Sequence, residues 1–338
     1  MTLPSPDLNA LDVLGVPALP TLRVRLTLRL LADGVLPARK GSMLRGGFGY
    51  AFQQTSCPQA CWRSEVCAGE TICPFRWIFA TPHPPDNPYL HDLRDVPRPF
   101  VIEPPADERT HYRAGETLEF TLVLIGRGID FLPYFLLSFA RLGDMGLGRG
   151  NTRARLERAE ALEPWSPVGT VIYRDGQLVP VATLPILTSA QVIARATELP
   201  ADLRLTLHGP LRLKYRGRYV HAIEPTALVQ AACWRIDVLA AFHANGGWQG
   251  SYRPLVEAAA QIRTQAVQTQ WLDWQRTSTR GPTPQRMALG GIEGAADLYA
   301  VPPEVRAVLL LGSMVHIGKA CVFGHGGYGL APVLSAED

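Results

Sequence analysis

From Leu22 to Leu30, leucines and Val24 alternate with Arg23, Arg25, Thr27 and Arg29. A period of two with one apolar face predicts a half-buried strand, and here the other face carries three arginines. The spacing changes over residues 41–55, where Leu44, Phe48, Ala51 and Phe52 recur at helical intervals and Ser42 stands where an N-cap would. From about residue 57 to 105 the periodicity dissolves into Cys, Pro and short aromatic runs, which reads as an insertion. Alternation returns over residues 116–125 through Leu118, Phe120, Leu122 and Leu124. A helix is predicted at about 131–142 and a basic strand at about 152–162. With one strand placed inside the insertion, the order is βαββαβ, a ferredoxin-like unit.

The theme restarts after a Pro-punctuated stretch. Residues 203–213 alternate like the first strand, and a long apolar-periodic helix is predicted over about 226–244. Residues 265–276 and 285–299 read as a long strand pair, followed by a helix over 303–315. The repeat is one of pattern rather than identity. The expected architecture is α+β, with two tandem ferredoxin-like (RRM-like) domains. Residues 1–163 form the N-terminal domain with the insertion at about 57–105, residues 164–200 a linker region, and residues 201–338 the C-terminal domain.

Composition narrows the class without naming a partner. The chain has 338 residues, 47% of them apolar and 19% charged, so each half can bury a core. The formal charge is only +3, and of the 33 basic residues only Lys40, Lys214 and Lys319 are lysines. Arginine forks onto phosphates and stacks on bases, although a GC-rich genome produces the same bias. There is no run of 18 apolar residues, so no membrane-spanning helix is expected. The first twenty residues hold four prolines with Asp7 and Asp12 and do not read as a signal peptide. A cytoplasmic chain with reduced thiols is the expectation.

Each half carries a glycine-rich loop just after a helix: residues 143–150, Gly-Asp-Met-Gly-Leu-Gly-Arg-Gly, and residues 324–329, Gly-His-Gly-Gly-Tyr-Gly. Glycines let a backbone approach a phosphate and present its N–H groups, and they also serve tight turns. Arg149, Arg153 and Arg155 add charge beside the first loop.

On these motifs the chain resembles a known family. Residues 44–49, Leu-Arg-Gly-Gly-Phe-Gly, followed by a cysteine cluster, are similar to one branch of the CRISPR repeat-RNA endoribonucleases of the RAMP superfamily. Residues 146–150 and the closing stretch from His316 to Gly329 share that likeness. The resemblance implies a metal-independent endoribonuclease that cuts CRISPR repeat RNA into guide RNAs (crRNA) by attack of the 2′-hydroxyl on the adjacent phosphate. No cofactor is expected for that step, and other CRISPR effector subunits are further candidate partners. Such chemistry needs a general base, a general acid and a cation at the phosphate. The family often places a His on or near the first helix, and residues 41–55 hold none. The candidates that remain are His316 with Lys319, then Tyr50 and His325, with His221 farther off. Expected RNA-binding residues are Arg45, Gly148, Arg149, Gly150, Arg153, Arg280, Arg286, Gly324, Gly326 and Gly327. Trp62, Trp77, Trp271 and Trp274 are aromatics that could stack on bases.

Cys57, Cys61, Cys67 and Cys73 fall within 17 residues, in the spacing C-x3-C-x5-C-x5-C. Four thiolates can close a structural zinc site, an iron–sulfur cluster would use the same ligands, and two disulfides are disfavoured in a reducing compartment. Cys233 and Cys321 sit in apolar surroundings and read as buried thiols. Two other functions compete: a non-catalytic RNA-binding subunit of an effector complex, and a redox enzyme built on the cysteine cluster.

Overall fold

The protein is described here by a computed structural model covering residues 15–61, 73–83, 90, 93, 95–278 and 285–333. It divides into two compact units: Pro20–Leu187 with Phe242–Ala244, and Thr188–Ala241 with Met1–Leu19 and Asn245–Asp338.

In the first unit the alternating stretch forms β1 (Thr21–Leu30), followed by β2 (Gly34–Val35), α1 (Gly41–Ser56) and α2 (Pro74–Phe79). Then come β3 (Phe100–Glu103), β4 (His111–Tyr112), β5 (Thr117–Ile125), α3 (Leu132–Met145), β6 (Ala154–Leu162), β7 (Gly169–Arg174) and β8 (Gln177–Leu178). The sheet runs β3-β5-β1-β6-β7-β8, with β1 antiparallel to both its neighbours. The outward arginines of β1 are matched across the strands by carboxylates: Arg23 by Glu103, Arg25 by Glu160 and Arg29 by Glu157. That face is a charge-neutral ladder.

The core of this unit is a phenylalanine cluster. Phe48 of α1 stacks on Phe139 and Phe135 of α3 at centroid distances of 4.6 and 5.3 Å, and meets Phe52, Phe79 and Phe100 at 5.4–6.0 Å. The helical spacing of Leu44, Phe48 and Phe52 thus packs α1 on α3 and the sheet. Ser42 does not cap the helix. The residue before the helix is Lys40, which makes no side-chain cap, and the Ser42 hydroxyl is buried without a hydrogen bond. The turn is tied instead by the buried Lys40 ammonium, which donates to Ala38 O (3.3 Å) and Asp107 O (3.2 Å).

The second unit opens with α4 (Ser189–Thr197), whose N-terminus is closed by a Thr188–Gln191 capping box. It continues with β9 (Leu203–Leu207), the short hairpin β10 (Lys214–Tyr215) and β11 (Arg218–Tyr219), α5 (Pro225–His243) and α6 (Arg253–Ala259). After these come β12 (Arg263–Leu272), β13 (Gln275–Ser278), β14 (Gln285–Ala288), β15 (Gly291–Tyr299), α7 (Pro303–Val315) and β16 (Tyr328–Pro332). The sheet is antiparallel, in the order β12-β15-β9-β16. On edge strand β12 the register slips between Ala266 and Gln268, leaving Val267 as a bulge. Gly294 faces that slip with φ +117, where a Cβ would lie 1.6 Å from Gln268 O.

Three expectations change. The stretch 164–200 is not a linker: β7 and β8 extend the first sheet, and α4 packs in the second unit. The insertion ends before Phe100, because β3 is a core strand paired to β5. The strand expected over 203–213 stops at Leu207, since Pro210 has no N–H for the ladder, and Leu211 rejoins the sheet through a bridge to Ile292. Among the described residues no helix is long and apolar enough to cross a membrane.

Phe48→Ala is expected to destabilise the first unit by about 3–5 kcal/mol, since it empties the centre of the ring cluster; equilibrium denaturation monitored by circular dichroism measures this. In the second unit Asp297 accepts a two-pronged pair from Arg204 directly across the ladder, at 2.7 and 2.9 Å, and that guanidinium holds its carboxyl below the usual range. A depressed folded-state pKa stabilises at neutral pH and loses that contribution as pH falls through the ordinary aspartate range, about 3.9, and below. Asp297→Asn should therefore flatten the acid limb of the stability–pH curve.

Candidate functional site

The first glycine loop is a tight turn with a charged tip. Leu147 and Thr152 exchange both backbone hydrogen bonds (2.8 and 3.0 Å), closing Gly148-Arg149-Gly150-Asn151 between them. Gly148 takes φ +67 and Asn151 φ +46, so the reversal needs left-handed backbone at both positions. Arg149, Gly150 and Arg153 face solvent, and neither arginine pairs with a carboxylate among the described residues. Arg155 is drawn towards Asp175 at 3.9 Å. A Cβ on Gly148 would meet Leu36, the sulfur of Met43 and Val35 O at 3.5–3.8 Å, so this turn lies against β2 and the start of α1.

On the far side of β2 is a group that sequence reasoning missed. His111 is the ladder partner of Val35, is exposed, and has its Nδ1 2.9 Å from the Thr110 hydroxyl. Arg109, two residues earlier in the chain, donates from its Nε to His111 O at 2.8 Å. β2 thus lies between the backbone of His111 and that of Gly148. The only signal in the sequence was a His in a polar run, Asp107-Glu-Arg-Thr-His-Tyr112, inside a stretch assigned to the insertion and its exit.

The second glycine loop is built differently. Gly324, Gly326 and Gly327 are buried. The Gly324 and Gly326 amides donate to Cys321 O (2.8 Å) and Pro210 O (3.1 Å), and Gly326 has φ +69 with Ile317 O where a Cβ would stand. These amides are committed inside the protein and are not offered to a phosphate. His316 is packed as well: it is 3% exposed at φ +57, its Nδ1 lies 3.0 Å from His325 O, and its ring lies against Gly327. His325 is buried beside Trp274, with ring centroids 5.5 Å apart. Arg235 of α5 braces the junction by donating to Val315 O at 3.5 Å, and burial pushes its pKa down. Lys319 alone of this set is exposed.

The remaining candidates scatter. Arg45 is buried, its guanidinium over Phe79 (4.9 Å) and Phe100 (5.4 Å), where an exposed phosphate-binding group was expected. Tyr50 is exposed on α1, and Arg286 is exposed on β14. Arg280, Trp62 and Cys67 lie outside the described residues. Trp77 sits under Arg127, and Trp271 packs on His221 at 4.2 Å. Cys57, Cys61 and Cys73 are half-buried. Burial pushes the Cys57 thiol up to about 11, with Cys73 and Cys61 adding to the rise. Among the described residues no three ligand-type side chains make a metal site. Cys233 and Cys321 are buried thiols, and burial pushes Cys233 up to about 12.

Comparison with known proteins follows the division into units. Residues 19–184 match a family model described as an N-terminal domain, AF_1859_N, and residues 205–328 match that of the CRISPR-associated endoribonuclease Cas6. No curated protein sequence matches the chain. Among solved structures, a partial Cas6-RT-Cas1–Cas2 complex aligns with TM-score 0.58 and 17% identity, covering 94% of this chain and 46% of that one. A second form of that complex gives the same score with 29% of its chain covered, so this chain spans about half or less of the length of these relatives. Thermus thermophilus Cas6 aligns with TM-score 0.51 and 14% identity over 94% of this chain and 100% of that one. At these identities the structures establish a shared fold. Residues 205–328, which span most of the second sheet and its glycine loop, are thus similar to the CRISPR-associated endoribonuclease Cas6 family.

Proposed function

We propose that this chain is an endoribonuclease that cuts CRISPR repeat RNA into guide RNAs, working through two tandem ferredoxin-like domains. The observation that carries this reading is the Cas6 match over residues 205–328. It is supported by the strand order of both sheets, in which the first strand of each βαββαβ set lies between the third and the fourth.

The reaction needs no metal. A base takes the proton of the 2′-hydroxyl, the oxygen attacks phosphorus, and the bond to the 5′-oxygen breaks as an acid protonates it. The products are a cyclic phosphate and a 5′-hydroxyl. We assign the leading acid–base role to His111, which faces solvent and has its Nδ1 2.9 Å from the Thr110 hydroxyl, and the task of holding the phosphate to the exposed Arg149 and Arg153. Lys319 and Tyr50 are exposed as well and are further candidates. His316 contributes by holding the second glycine loop in shape. The test is single-turnover cleavage of the repeat RNA by saturating enzyme in EDTA. His111→Ala should slow cleavage by about 10²–10⁴-fold with RNA affinity retained. His316→Ala should lower thermal stability before it touches the rate per folded molecule. Equal rates for His111→Ala and the unmodified protein would remove His111. Tight binding without any cleavage by the unmodified protein would make the chain a guide-binding subunit of an effector complex.

A structural zinc at Cys57, Cys61, Cys67 and Cys73 is the second part of the proposal. It rests on the spacing of the four thiols and on Cys73 and Cys61 lying close enough to Cys57 to raise its pKa. Sulfur ligands alone leave no open position, so the ion would organise the insertion and take no part in cleavage. Elemental analysis should find about one zinc per chain, reduced by serine at any of the four. Iron with visible absorbance would keep the ligands and change the ion, and a metal-free protein purified without chelator would end the idea.

A further inference from the structure

The most basic surface segment of the second unit belongs to none of the groups assigned so far. Between Asp202 and Glu224 the chain has no carboxylate and carries Arg204, Arg212, Lys214, Arg216 and Arg218. Arg204 is used in the pair with Asp297. The other four flank or form the β10–β11 hairpin, and none pairs with a carboxylate among the described residues. Four cations within seven residues repel one another, and among the described residues no carboxylate pairs with them.

The hairpin is rigid enough to act as a platform. Lys214 pairs with Tyr219 and Tyr215 with Arg218, leaving a two-residue turn of Arg216 (φ +46) and Gly217 (φ +82). Both turn positions need left-handed backbone, for which Asn-Gly is the favoured pair, so an arginine at the first of them is conformationally costly. A costly residue kept at a solvent-exposed tip points to a use outside the fold. The base is anchored by buried Leu213 and Val220, and Arg212 O accepts from the amide of Lys319 at 3.0 Å. That hydrogen bond brings the exposed Lys319 beside the hairpin.

Aromatic faces are interleaved with the charges. Arg212 lies 4.3 Å from the centroid of Tyr219, which is 42% exposed, and Arg216 lies 5.2 Å from that of Tyr215. Two residues on, His221 is exposed and tilted on Trp271. Cations alternating with accessible rings suit a polyanion that also presents flat apolar faces. A duplex hides its bases, whereas an unpaired strand offers both phosphates and bases.

We propose that the segment Arg212–Tyr219, with Lys319 and the His221–Trp271 pair beside it, is a platform for an unpaired stretch of RNA. Phosphates meet Arg212, Lys214, Arg216, Arg218 and Lys319, and bases stack on Tyr219. This deepens the reading of the chain as a nuclease of repeat RNA and rests on it for the identity of the RNA.

The test uses the whole chain with end-labelled repeat RNA, titrated by fluorescence anisotropy over a salt series, beside single-turnover cleavage at saturating enzyme. Three variants are compared: Arg216→Asn, the triple Lys214→Ala/Arg216→Ala/Arg218→Ala, and Tyr219→Ala. Arg216→Asn should relieve the turn, so its melting temperature should equal or exceed that of the parent while RNA binding weakens. The triple variant should lose on the order of tenfold or more in affinity, with the salt slope reduced by about 2. Tyr219→Ala should lose about 5–100-fold on single strands and little on a duplex competitor, with Tyr219→Phe restoring binding. Unchanged affinity and slope in the folded triple variant would overturn the platform. If the parent cuts no repeat RNA but the variants still lose single-strand binding, the platform stands and the nuclease reading falls.

Discussion

Each unit depends on a central strand hydrogen-bonded along both of its edges. β1 is clasped between β5 and β6, and β9 between β15 and β16, all antiparallel. A strand held on both sides cannot slip register without turning its whole apolar face to water. Leu22, Val24, Leu26, Leu28 and Leu30 are all essentially inaccessible to solvent, as are Leu203 and Leu205. Once those strands are set, each helix has one place to lie, and the loop that follows it leaves from a determined point on the sheet. The two glycine loops owe their positions to this.

The loops then diverge in use. The first has an exposed, arginine-bearing tip against β2, while the second is folded into the protein, with two of its amides given to neighbouring carbonyls. Equivalent positions in a repeated topology therefore do not imply equivalent chemistry. In the second unit exposed cationic surface comes from the β10–β11 hairpin, which has no counterpart among the βαββαβ elements.

Period-two and helical patterning made most of the architecture legible. α7 was read at residues 303–315, which is where it lies, and α1 was read to within one residue. Both bury several large apolar side chains, Leu44, Phe48 and Phe52 in α1 and Val305, Val308, Leu309 and Leu311 in α7, so the pattern is loud. The site was far less legible, because exposure is decided by tertiary packing. His316 stood beside a glycine loop in sequence, and its burial follows from Gly327 folding over its ring. Arg45 looked like a surface cation, and its withdrawal depends on Phe79 and Phe100, which approach from other elements. His111 stood out only as a His in a polar run, because its partner strand, β2, is two residues long. Stretches that short leave no periodicity to read.

The bulge at Val267 bears on how the chain behaves in company. β12 is the outer strand of its sheet, long, nearly uncharged and largely exposed, the kind of border on which a second copy could lay its own strand. One extra residue, accommodated by Gly294 across the ladder, throws the border out of regular step and sharpens its twist. An incoming strand would find matching donors and acceptors for only a few residues before the spacing failed. A bulge so placed works against the edge-to-edge pairing of two copies.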